Sequence, residues 1–169
     1  MKRLIVYILE IILCFVIQTA MYQYINLADI MPNMLLILVV SYAYMRGRMT
    51  GLTLGLVCGL LMDLMSGSYL IGVNGLIYIL IGYFIGYTKR YYSNDDYTFP
   101  IIITAISDLV YGIMFYMLEF LLRGRLNFIY YLRRMILPEI IYTVAVSVLL
   151  YKLLHMIDNL LEHKPEKEV

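Results

Sequence analysis

The chain has 169 residues, of which 63% are hydrophobic and only 15% charged, and its formal net charge is +1. Such a chain cannot keep its apolar surface out of water as an ordinary soluble domain does, so the composition reads as an integral membrane protein. The near-neutral balance, with basic residues set in pairs between apolar runs, also excludes the basic stripe of a nucleic-acid binder. The two cysteines, Cys14 and Cys58, lie inside apolar runs and read as small packing residues.

Six candidate spans follow in chain order: 4–24, 30–45, 49–65, 69–88, 98–122 and 135–151, each judged against the roughly 20 residues that cross hydrocarbon. The basic pair Lys2-Arg3 and the apolar run behind it look like a signal peptide. The run is long enough to read instead as an uncleaved first span. The second and third spans are short. The connections are brief, so the expected organisation is a six-span membrane domain over 1–158 and a short charged tail over 159–169. With a cytoplasmic amino terminus, nine of the 13 Lys and Arg fall on inner segments and the other four (Arg123, Arg125, Arg133 and Arg134) in one outer loop. That bias predicts a multi-pass protein with both termini in the cytoplasm.

The second span opens at Pro32-Asn33. Proline has no amide hydrogen to leave unpaired at a helix start, and its φ is preset for the first turn. In the third span glycine recurs at 47, 51, 55 and 59, and position 63 is an aspartate. A spacing of four puts these residues on one helix face, and a face without side chains lets another backbone approach closely. Gly47 belongs to the turn between Arg46 and Arg48, which leaves Gly51, Gly55 and Gly59 as the ridge proper. The fourth span adds a second small-residue stripe with Gly75 and Gly82. Spacing alone leaves three occupants for the ridge: a partner's helix, a second copy of the chain, or the chain's own neighbouring helices. The expectation adopted is a partner's transmembrane helix. Between spans three and four, Gly67 and Gly72 permit a tight turn, and Asp63 is expected to organise that hairpin by accepting hydrogen bonds from the loop near Gly72 and Asn74.

Other acids sit in apolar runs: Glu10, Asp108, Glu119 and Glu139. A charge in hydrocarbon costs several kcal/mol, of order 3 on insertion scales. Glu10 and Asp108 are therefore expected to be protonated, bonded to hydroxyls such as Ser107 or Thr104, or turned toward a partner. The 18 tyrosines, with no tryptophan, read as an aromatic belt, with Tyr42, Tyr44, Tyr83, Tyr87, Tyr91 and Tyr92 near inner ends. After the last span, Leu153, Leu154, Ile157, Leu160 and Leu161 alternate helically with Lys152, His155, Asp158, Asn159 and Glu162, which predicts an amphipathic exit helix with a solvated polar face. His155 and His163 do not make a metal site, and no metal or cofactor is expected. No nucleophile stands near a base at catalytic spacing, so no catalytic residue is assigned and the chain reads as a non-enzyme.

The set Pro32-Asn33-Met34-Leu35-Leu36, the series Gly51-x-x-x-Gly55-x-x-x-Gly59-x-x-x-Asp63, and Gly67 followed by Gly72 together resemble the bacterial rod-shape-determining MreD family. Family members commonly carry Asp where this chain has Asn33. The resemblance implies a noncatalytic scaffold of the cell-elongation complex in the bacterial cytoplasmic membrane. The implied partners are MreC, the cytoskeletal MreB, the glycosyltransferase RodA and a class B penicillin-binding transpeptidase, and a homo-oligomer is left open. It also implies an all-α membrane fold similar to the substrate-binding S components of energy-coupling-factor vitamin transporters. That kinship supplies the alternative function, a vitamin-binding S component. Such a binder needs several polar groups around an outer cavity, and here few stand there beyond Asp63, Asn74 and Glu139.

Overall fold

The fold comes from a computed structural model that describes residues 2–24, 31–66, 72–91, 98–120 and 128–162. Gly67, the turn 26–29, Arg123, Arg125, Tyr92 and the tail with His163 lie outside the described residues.

All described elements are helical. They are α1 (Lys2–Tyr24), α2 (Met34–Arg46), α3 (Arg48–Ser66), α4 (Val73–Ile85), α5 (Thr98–Phe115), α6 (Phe128–Tyr131) and α7 (Leu137–Glu162). A 3-10 turn, Gly86–Tyr91, continues α4; π-wound turns follow α5 at Tyr116–Phe120 and join α6 to α7 at Leu132–Ile136. Among the described residues, three helices are long and apolar enough to cross a membrane: Arg48–Met65, Thr98–Leu118 and Ile129–Leu160. Shorter apolar helices are Leu4–Ala20 and Met34–Arg46. The chain is thus an all-α protein of membrane type.

The bundle is built around α2. Every residue from Met34 to Met45 is buried, because α1, α3, α4, α5 and α7 all pack on it. Its sequence is apolar all round, as a fully surrounded helix requires. Both ends are closed chemically. Asn33 caps the start, its side-chain oxygen accepting from the Leu36 amide at 3.3 Å, which satisfies one of the orphan donors of the first turn. At the other end Gly47, at φ 98°, donates its amide to the Ala43 carbonyl at 2.9 Å. That left-handed φ favours glycine, and it turns the chain straight into α3 with no further connector.

Two expectations are corrected by this centre. Tyr42 and Tyr44 lie in the core with no exposed surface and do not belong to an interfacial belt. Their hydroxyls are satisfied inside, Tyr42 donating to Glu10 at 2.6 Å and Tyr44 to the Tyr91 carbonyl at 3.3 Å. The exit helix also departs in part from its expected division into an apolar and a solvated face. His155 and Asp158 are buried, while Leu153 and Leu160 are exposed. The physical reason is Arg46 at the end of α2, whose Nη2 and Nε reach Asp158 Oδ1 at 2.7 and 3.1 Å. The ion pair draws Asp158 inward beside Leu154, which stays in the core, while Lys152, Leu153 and Leu160 face out.

Candidate functional site

The glycine face of α3 is filled by α4 of the same chain. A methyl group built on Gly59 would lie 2.5 Å from the Gly75 Cα, and one on Gly55 would lie 2.5 Å from the Tyr78 carbonyl oxygen. At Gly51 it would fall 2.7 Å from the Ala43 Cβ and inside the Gly82 carbonyl, while Gly82 meets the Gly51 backbone in return. The two helices therefore touch backbone to backbone along three turns, which only hydrogen side chains allow. Gly51, Gly55, Gly59 and Gly82 were expected to receive a partner's helix; the structure seats them in an internal seam. The spacing of four fixed a close contact without naming its occupant. Gly75 is a separate case, since a Cβ there would meet Asp63 Oδ2 and Leu60 at an ordinary 3.6 Å.

Asp63 closes the end of the seam nearest Gly72. Its Oδ2 accepts from the Gly72 amide at 3.0 Å and the Gly75 amide at 3.2 Å, and its Oδ1 from the Asn74 amide and side-chain Nδ2, both at 3.1 Å. The carboxylate so occupies the amino end of α4, where unpaired amides and the helix dipole favour a negative charge. Gly72 contributes a φ of 102° with open space around it, so its glycine is there for the backbone and not for packing.

Asn74 passes the network inward. Its Oδ1 accepts from the Tyr111 hydroxyl of α5 at 2.8 Å. Tyr111 packs edge-on to Tyr78, ring centroids 5.5 Å apart, and the Tyr78 hydroxyl donates to Asn33 Oδ1. The Asn33 amide in turn donates to Thr143 Oγ1 of α7 at 3.2 Å. Pro32 stands buried just before it. An uncharged amide thus serves at position 33 both as the α2 cap and as the acceptor for tyrosine. The network ties α2, α3, α4, α5 and α7 at one end of the bundle.

Three contributors were not singled out from the sequence. Gln18 accepts from the Leu35 amide at 3.2 Å and satisfies a second orphan donor of α2. Thr143 and Tyr111 complete the links to α7 and α5. Gln18 was findable, as an amide within the apolar run of α1. Thr143 and Tyr111 were not, because a threonine or a tyrosine in a span has many roles.

Asp108 is the opposite of Asp63. It is 2% exposed, and neither carboxyl oxygen has a hydrogen-bond partner among the described residues. Ser107 and Thr104, the expected hydroxyl partners, donate instead to the Ile103 and Pro100 carbonyls one turn back, at 2.7 and 2.8 Å. Thr143 faces Asp108 from α7 without closing a hydrogen bond, and Glu139 stands one turn before Thr143 on the same helix. Glu10 is half satisfied: Tyr42 donates to Oε2 while Oε1 has no partner. Among the described residues no group of three His, Cys, Asp or Glu stands close enough to hold a metal ion.

Comparison with known proteins points to a family. No curated protein and no solved structure matches the chain. The family model described as rod shape-determining protein MreD matches residues 1–159. With nearly the whole chain covered, and with the cap residue, the glycine seam and the aspartate that ends it inside that range, the protein belongs to the MreD family of rod shape-determining proteins.

Proposed function

We propose that the protein is a noncatalytic scaffold of the cell-elongation complex, holding MreC and, through the same assembly, MreB, RodA and a class B penicillin-binding transpeptidase. In this reading it crosses the cytoplasmic membrane six times with both termini inside, residues 1–158 forming the membrane domain and 159–169 a cytoplasmic tail. The family match over residues 1–159 carries the reading. The packing supports it in a second way. The seam and its Asp63 cap make α2, α3 and α4 one stiff unit, which suits a part that holds others in register. With the glycine face occupied from within, partner helices meet outward apolar faces. One such face is that of α1, where Leu4, Leu9, Leu13 and Val16 are all more than half exposed.

Affinity capture of the tagged full-length protein from membranes tests this. Recovery of MreC with wall-synthesis enzymes is the expected result. Recovery of an ATPase module with a bound vitamin, or of no elongation protein, overturns it. Bulky substitution at Leu9 or Leu13 is expected to weaken capture while the protein stays folded. Bulky substitution at Gly55 acts differently, because it opens the seam and costs the fold itself.

A further inference from the structure

Between α4 and α5 runs a groove of about 310 Å³, lined by Leu80, Phe84 and Ile85 on one side and Ile106, Val110 and Met114 on the other. No polar atom opens onto it. Its one hydroxyl residue, Ser107, donates back to the Ile103 carbonyl at 2.7 Å. Such a slot has nothing to offer a polar ligand and suits a hydrocarbon chain.

The α4 wall continues directly from Ile85 into the turn Gly86–Tyr91, and there the chemistry changes. Phe84 packs edge-on to Tyr83 at 5.8 Å, Tyr83 to Tyr87 at 5.5 Å, and the Arg48 guanidinium lies 4.6 Å over the Tyr87 ring. The Tyr83 and Tyr87 hydroxyls are 3.0 Å apart. Lys89 donates to the Arg46 carbonyl at 3.1 Å, which brings its ammonium to the junction that Arg48 begins. Arg48, Lys89 and Arg90 are all exposed. The described acids on α3 and α5, Asp63 and Asp108, are buried. A chain of ring contacts thus leads from a dry apolar slot to a cluster of cations with tyrosine hydroxyls, the arrangement found where a protein meets the headgroup layer.

We infer that this is a binding site for one anionic phospholipid, with an acyl chain in the α4–α5 groove and the phosphate between Arg48 and Lys89. Tyr83 and Tyr87 stand at the level of the glycerol esters. The two halves require each other: a free phosphate has no use for the groove, and an uncharged lipid has none for the cations. Because lipid retention needs no partner protein, the site stands or falls separately from the scaffold reading.

Native mass spectrometry of the full-length protein in detergent tests this, with phosphatidylglycerol and phosphatidylcholine of identical chains as probes. One phosphatidylglycerol is expected to be retained at least roughly tenfold more strongly, since each surface cation favours an anionic headgroup. The double variant Arg48→Gln/Lys89→Gln should erase that preference, and Val110→Trp, which fills the groove, should lower retention of both lipids. Unchanged helical circular dichroism shows that the variants are folded. Equal retention of the two lipids, a preference that survives the double variant, or Val110→Trp binding as wild type each overturns the site. So does binding of inorganic phosphate alone with no contribution from the chains.

Discussion

Two buried aspartates, on neighbouring layers of one bundle, meet opposite treatment. Asp63 is 6% exposed and accepts four hydrogen bonds from the start of α4. Asp108 is 2% exposed and accepts none among the described residues. The difference lies in what backbone each can reach. Asp63 sits opposite a helix amino end, where amides point outward unpaired. Asp108 sits in mid-helix against α7, whose backbone is already bonded to itself. Near-complete burial therefore has two meanings: one carboxylate organises the fold, and the other is a cost that the fold carries.

Four substitutions break or sharpen this contrast, and one assay reads them all. Cys14 and Cys58 are free and buried, so a thiol-reactive dye reports unfolding of the detergent-solubilised protein. The largest effect is expected for Gly59→Leu, one turn before Asp63. It drives a side chain into the Gly75 backbone and parts the amides from their carboxylate, at a cost of more than about 4 kcal/mol; the dye should react without heating. Arg46→Gln comes next, leaving Asp158 buried without its cation at about 3–5 kcal/mol, with a midpoint well below wild type. Asp63→Asn keeps the shape but turns an amide nitrogen toward donors, and should cost about 2–4 kcal/mol. Asp108→Asn is expected to shift stability by less than about 1 kcal/mol, or to raise it, because neither carboxyl oxygen has a hydrogen bond among the described residues to lose. A large fall for Asp108→Asn, matching that for Asp63→Asn, would abolish the contrast.

The sequence made the class of fold legible, and with it the places where helices begin and turn. Proline and asparagine marked the start of α2, glycine marked its end, and the spacing of four announced a close helix contact ending at an acid. What stayed hidden has a common cause. In a membrane protein the surface facing lipid is as apolar as the surface facing the core, so hydropathy could not tell that α2 is the surrounded helix and α1 a peripheral one. The same ambiguity mixed the two faces of the exit helix. In water the polar edge of α7 would face out, but here Asp158 finds Arg46 inside, and Leu153 and Leu160 can face hydrocarbon. For the glycine ridge the limit was one of identity: a smooth face specifies that a backbone comes near, and any backbone will do.

The shortness of α2 also bears on how the protein is made. At 13 residues the helix is about 20 Å long, against a hydrocarbon layer of roughly 30 Å. No part of it from Met34 to Met45 faces outward, so its short length is matched to the helices around it and not to the bilayer. Joined directly to α3 through Gly47, it is expected to need that helix beside it when the protein inserts. Membrane insertion and tertiary folding of this segment are expected to be coupled, so damage to its packing should appear as failed biogenesis before it appears as an unstable product.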